Sequence, residues 1–176
     1  GSEMCIRDSL AAYSAALDAG GLTLASVQDD APYTYAGANG KSVNNYDRRY
    51  RGFTTLREAI TDSINIVTVK TLAQAGVSLG WQYVQEYGFT TVDSRDMNEA
   101  LALGGITQGV SNLELTAAYA AIANQGTYIR PKFYTKILDH DGNVLIDNTT
   151  PESHTVIKDT TAWLLTSAME DVMTSG

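Results

Sequence analysis

The chain has 176 residues, 44% of them hydrophobic and 18% charged, with a net charge of −8; that suits one globular unit with one core and argues against disorder. Binding to a phosphate backbone needs clustered Lys and Arg, and acids outnumber bases 20 to 12, so nucleic acid is excluded as a partner. Cys5 is the only cysteine, which rules out an internal disulfide, and no apolar run reaches membrane-spanning length.

Residues 1–9 show neither a helical nor a strand period and are expected to be adventitious, which leaves 10–176 as the folded unit. Leu10, Tyr13, Ser14 and Leu17 recur at helical spacing, and Gly20-Gly21 stops that helix. From 21 to 53 the chain is rich in Gly, Asn, Asp and Tyr, which predicts an irregular region with short extended pieces around 33–35. Within it Arg48, Arg49 and Arg51 form the one basic cluster, flanked by Tyr46, Asp47 and Tyr50, and read as a solvated loop.

Thr55-Leu56-Arg57-Glu58 is a capping box, so a helix should follow with Leu56, Ala59 and Ile60 inward. A second helical pattern spans 66–75, with Val67, Val69, Lys70, Leu72 and Ala73 in its repeat, and closes at Gly76. A third runs from 79 to 87 and closes at Gly88. The apolar stretch 100–103 ends in Gly104-Gly105, and Ser111-Asn112-Leu113-Glu114 is a second capping box before an Ala-rich helix ended by Gly126. Residues 128–130 and 133–138 favour strand, 139–143 supply a turn, and 144–146 return as the hairpin partner. A short strand at 154–157 precedes a final amphipathic helix, 160–173, with Trp163, Leu164, Ser167, Ala168, Asp171 and Val172 in its repeat. Helix-rich and hairpin segments together predict an α+β fold.

Few residues announce chemistry. His140 and His154 have no helical i, i+4 partner and no cysteine pair, so no metal site is expected. Gly104-Gly105 lacks a phosphate-loop pattern, and no cofactor is expected. Asp29-Asp30 reads as a pair of exposed loop acids. Ser63-Ile64-Asn65 sits at the junction of two helical patterns, where a short turn could present both polar side chains one way. A serine hydroxyl can donate and accept a proton, and an asparagine offers an acceptor and a donor to a peptide backbone. The competing reading is that Ser63 and Asn65 only cap the second helix.

The run Thr55-Leu56-Arg57-Glu58-Ala59-Ile60-Thr61-Asp62-Ser63-Ile64-Asn65-Ile66-Val67-Thr68-Val69-Lys70 resembles the segment of class A penicillin-binding proteins that carries their second active-site motif, S-x-N. Further matches follow in order. Asn45-Tyr46-Asp47 and Tyr50-Arg51-Gly52 precede it; Leu101-Ala102-Leu103-Gly104-Gly105, Gly109-Val110-Ser111-Asn112-Leu113-Glu114-Leu115, Ala117-Ala118-Tyr119-Ala120-Ala121 and Ala123-Asn124-Gln125-Gly126 come after it. Tyr128-Ile129-Arg130-Pro131, the Asp141-Gly142 hairpin and Thr161-Ala162-Trp163-Leu164-Leu165 complete the series.

The resemblance implies part of the transpeptidase fold shared with serine β-lactamases, mainly its helical part plus a β-hairpin. It also implies an enzyme that cross-links peptidoglycan stem peptides through a serine acyl-enzyme and is acylated by β-lactams. The family works through S-x-x-K, S-x-N and K-T-G. By that resemblance Ser63 relays a proton to the leaving nitrogen and Asn65 holds the substrate backbone. It places the chain outside the cytoplasm at the cell envelope, held to the membrane only by an anchor beyond this sequence.

Three departures stand out. Counting back from Leu10-Ala11-Ala12-Tyr13 puts Cys5 and Asp8 where the family has the nucleophile and lysine of S-x-x-K. No K-T-G occurs, since Lys41-Ser42 and Lys70-Thr71 lack the glycine, and Val67 stands where many relatives have Pro. The chain alone is therefore expected to be inactive. The alternatives are a non-catalytic envelope module that binds cell-wall peptide or a partner, and a relative that hydrolyses β-lactams, which the 123–126 block and the following hairpin fit less well.

Overall fold

The structure is a computed structural model that describes residues 9–34, 41–90, 97–103, 112–131, 136–138, 140–142, 144–147 and 152–175. Its centre is α1 (Ser9–Asp18), which packs against α3 (Asn65–Ala75), α4 (Val77–Glu86), a 3-10 turn (Glu99–Leu103) and α6 (Asp159–Ser175). Every residue of α1 from Leu10 to Leu17 is buried. A helix that is covered on all sides must be apolar all round, and Ala11, Ala12, Ala15 and Ala16 keep it thin enough for its neighbours to approach. Two buried polar side chains of α1 find partners: Tyr13 Oη lies 2.8 Å from Thr68 Oγ1, and Ser14 Oγ lies 2.7 Å from Tyr87 Oη. Buried hydroxyls left unpaired would cost stability.

Asp18 ends α1 and joins three helices. Its carboxylate accepts hydrogen bonds from the Tyr83 hydroxyl of α4, from Thr161 Oγ1 at 2.9 Å and from the Lys158 amide at 2.9 Å. The last two place the negative charge at the N-terminus of α6, where the helix dipole favours it. On another side α6 meets α2 (Leu56–Asp62), where Arg57 Nη1 contacts Asp171 Oδ2 at 2.7 Å. α5 (Asn112–Ala123) packs on α6 and on the strand that follows it.

Among the described residues the strands form four antiparallel pairs. β1 (Val27–Asp30) pairs with β4 (Gly52–Thr55), and β2 (Tyr33–Thr34) with β3 (Ser42–Val43). β5 (Thr127–Ile129) pairs with β8 (Ser153–Thr155), and β6 (Lys136–Leu138) with β7 (Val144–Asp147). This is the expected α+β mixture of helices and small hairpins.

Several sequence expectations need correction. Residues 21–53 are largely irregular with short strands, as expected, but β1 and β4 also form a ladder, not foreseen from the sequence, that continues into α2. The Leu56 amide donates to Ser26 O at 2.9 Å and the Arg57 amide to Leu24 O at 3.1 Å, which satisfies two amides that a helix start leaves open. Asp30 is not an exposed loop acid but fully buried, while Asp29 is exposed. The strand expected at 154–157 stops at Thr155, and Val156 and Ile157 are buried beyond it. Trp163 is 68% exposed; Ala168 is buried as expected, and Thr161, Ala162 and Leu165 complete the buried face of α6. The small residues let α6 lie close to its neighbours, which an inward indole would prevent. Gly104-Gly105 and the Ser111 cap lie outside the described residues.

Candidate active site

The β4–α2 junction behaves as its sequence suggests. Thr55 is extended, its hydroxyl accepts the Glu58 amide at 3.2 Å, and Leu56, Ala59 and Ile60 are buried. The helix ends at Ser63, which takes the left-handed conformation with φ 53° and ψ 54°. That region disfavours residues with a Cβ. Ile64 follows in extended geometry, its amide donating to Ala59 O at 3.0 Å, and its side chain is buried. An apolar peg is thus driven into the core, with a partly exposed polar residue on each side.

The two polar residues are differently held. Asn65 Nδ2 donates to Asn44 O at 3.0 Å. Among the described residues the Ser63 hydroxyl and the Asn65 side-chain carbonyl have no hydrogen-bond partner. Neither residue caps α3: the N-cap is Ile64, with no side-chain cap of its own. The capping reading of Ser63 and Asn65 therefore does not describe this turn.

The cap arrives from a distant segment. Asn45 Oδ1 accepts the Ile66 amide at 3.1 Å. Asn45 Nδ2 donates to Asp30 Oδ1 at 2.7 Å and to Arg49 O at 2.7 Å. Asp30 Oδ2 in turn accepts the Arg51 amide at 2.9 Å. Both Asn45 and Asp30 are buried. Sequence reasoning singled out neither: the only signal was that Asn45 lies in a stretch shared with the family, and a buried side-chain network has no local period. From the other side, Thr68 Oγ1 donates to Ile64 O at 3.0 Å and meets Tyr13 Oη, which ties the turn to α1.

The remaining candidates lie elsewhere. Lys70 Nζ donates to Asp29 O at 2.6 Å and sits 5.5 Å from the Tyr33 ring centre; Thr71 is buried and donates to Val67 O at 2.7 Å. This pair is helical and does not form a K-T-G strand. The basic loop is solvated, as expected, with Tyr46 and Tyr50 exposed. Asp47 is held below the usual carboxylate range, first by the Arg49 amide and also by the Arg51 guanidinium at 3.0 Å. His140 is exposed beside Asp141, and His154 Nε2 lies 2.7 Å from Glu86 O. Among the described residues no three His, Cys, Asp or Glu side chains gather as a metal site. Cys5 and Asp8 lie outside the described residues.

The model of the penicillin binding protein transpeptidase domain family matches residues 10–176. This chain belongs to that family. Among its relatives, penicillin-binding protein 1F of Bacillus subtilis is 39% identical over 132 residues, covering 75% of this chain and 18% of the relative. The crystal structure of penicillin-binding protein 1A from Haemophilus influenzae superposes with a TM-score of 0.79 at 25% identity, over 97% of this chain and 30% of that one. PonA1 of Mycobacterium tuberculosis, solved in complex with penicillin V, gives 0.77 at 22% identity, over 93% of this chain and 45% of that one. The turn at Ser63 therefore lies within a transpeptidase domain of the class A penicillin-binding proteins, and this chain spans less than a fifth of the length of the Bacillus relative. Among the described residues no helix is long and apolar enough to cross a membrane.

Proposed function

We propose that this chain supplies the S-x-N element of a peptidoglycan D,D-transpeptidase, with Ser63 and Asn65 as active-site residues. The observation that carries the reading is their availability: two polar side chains flank a buried Ile64 on one strained turn, and the hydroxyl of one and the carbonyl of the other are uncommitted among the described residues. A non-glycine residue in the left-handed region persists where the surroundings hold it there, and such positions cluster at functional sites.

In this reading the serine of an S-x-x-K motif attacks the penultimate D-Ala carbonyl of a stem peptide. Its proton passes by way of Ser63 to the departing amide nitrogen, and free D-Ala leaves. The Asn65 carbonyl accepts an N–H of the donor peptide, while its amide stays engaged with Asn44. The acyl group then passes to the amine of a neighbouring stem peptide. A β-lactam acylates the same serine, and the penicillin V bound to PonA1 fits this reading. Such chemistry belongs at the outer face of the cytoplasmic membrane, reached through an anchor in the parent protein.

The 176-residue sequence contains neither S-x-x-K nor K-T-G, so the chain should form no stable adduct by itself. Labelled penicillin followed by a denaturing gel tests both halves. The full-length protein should give a covalent band and the 176-residue chain none. A band on the short chain that disappears with Cys5→Ala would contradict the reading of residues 1–9.

A further inference from the structure

A transpeptidase needs its S-x-N residues held to a fraction of an ångström, because small misplacements of a catalytic group can slow a reaction about a hundredfold. The turn is anchored at the buried Ile64, but nothing local orients the polar residues on either side of it or caps the helix that follows. Ser63 is in a disfavoured backbone region, and α3 begins without a local cap. What fixes it is the buried Asn45 carboxamide, which uses both ends: the oxygen receives the Ile66 amide, one residue after Asn65, and the nitrogen is gripped by Asp30. Asp30 is itself set by the Arg51 amide, and the neighbouring Asn44 carbonyl holds Asn65 directly.

From these contacts we infer that Asp30 and Asn45 are positioning residues of the acylation site. They align Asn65, and through the turn Ser63, without touching substrate. The inference rests on the transpeptidase reading of Ser63 and Asn65.

The polar arrangement explains why an aliphatic pair would not serve. A carboxamide at 45 presents an acceptor to α3 and a donor to β1 at once, and an anionic acceptor at 30 tells the amide which way to face. Asp30→Asn keeps the shape but turns one of the two contacts into a clash of donors, with Asn45 or with the Arg51 amide. Asp30→Asn combined with Asn45→Asp restores the donor between the two positions and keeps an acceptor for Ile66, but it loses the bond to Arg49 O, sets a carboxylate oxygen against that carbonyl, and removes the Arg51–Asp30 ionic contact.

The test is a double-mutant cycle in the full-length protein, read as the rate constant of acylation by labelled penicillin, with unfolding curves alongside. Asn65→Ala should slow acylation, which checks the underlying reading by itself. Asn45→Ala should slow it by about 10- to 100-fold. In the Asn65→Ala background the same change should slow acylation less, leaving only the part that acts through Ser63. The Asp30→Asn, Asn45→Asp exchange should recover part of the rate that Asp30→Asn loses. A purely structural pair would lower the melting temperature without this coupling. If Asn45→Ala does not fold, Asp30→Asn takes its place in the cycle. Equal slowing with and without Asn65, or folded variants that acylate at the wild-type rate, would overturn the positioning role alone. An Asn65→Ala protein that acylates normally would bring down the transpeptidase reading and this inference with it.

Discussion

The Ile66 amide donates to Asn45 Oδ1 at 3.1 Å, so α3 takes its cap from a residue 21 positions upstream. Ser63 and Asn65, adjacent to that helix start, leave the capping to it. This division of labour separates stability from chemistry at the turn, and substitutions there should report the two independently.

Ser63→Gly is the sharpest such substitution. Glycine adopts φ 53° without the Cβ penalty, at the cost of a looser unfolded chain. The net effect should be a folded state as stable as the wild type, or more stable by up to about 1 kcal/mol. Acylation should nevertheless slow sharply, because the hydroxyl is gone. Chemical denaturation beside acylation kinetics checks the split. A clear loss of stability would show that the Ser63 hydroxyl holds the turn together.

Gly126→Ala should be damaging for a steric reason. Gly126 follows α5 with φ 92°, and an added Cβ would lie 2.0 Å from the backbone oxygen of Ile157. The Val156 amide donates to Gly126 O at 2.8 Å, so the two segments cannot simply move apart. A loss of about 1–3 kcal/mol or more is expected from strain of this kind. Thermal melting of the variant measures it.

Burial raises the ionisation of Tyr83 and Tyr87 well above the ordinary tyrosine range; next to Asp18, Tyr83 is pushed further the same way. Their protons are kept in the folded state and released on unfolding. Stability from these two groups is therefore complete below about pH 10, the unfolded value, and falls as pH rises beyond it. Urea midpoints measured from neutral to strongly alkaline pH should decline above that point. Tyr87→Phe should make the decline shallower and also cost about 1–3 kcal/mol at neutral pH, by leaving the buried Ser14 hydroxyl unpaired.

The helices are legible in the sequence because their signals are local. Thr55 caps where its spacing to Glu58 says it should, and Gly76 and Gly88 follow the helices that their positions close. The β1–β4 ladder is not legible. Val27-Gln28-Asp29-Asp30 has no apolar alternation, and its partner begins at Gly52, across a long intervening stretch. The inward face of α6 differs from the sequence expectation because a tryptophan carries far more apolar surface than an alanine, while close packing favours the alanine. At the candidate site, Ser63 and Asn65 can be named from the sequence, but what holds them cannot. Asp30 reads as a loop acid until the fold buries it against Asn45.

Acylation of the full-length protein by labelled penicillin, measured for wild type, Ser63→Ala and Asn65→Ala with an unfolding curve for each, tests the central claim most directly. Ser63→Ala should slow acylation by about 10²–10⁴-fold, the usual contribution of a positioned acid–base group, with little change in stability. Asn65→Ala should slow it too, by weakening the hold on the acyl donor. Acylation at the wild-type rate in both variants, with lowered melting temperatures, would contradict the account and return Ser63 and Asn65 to a purely structural role.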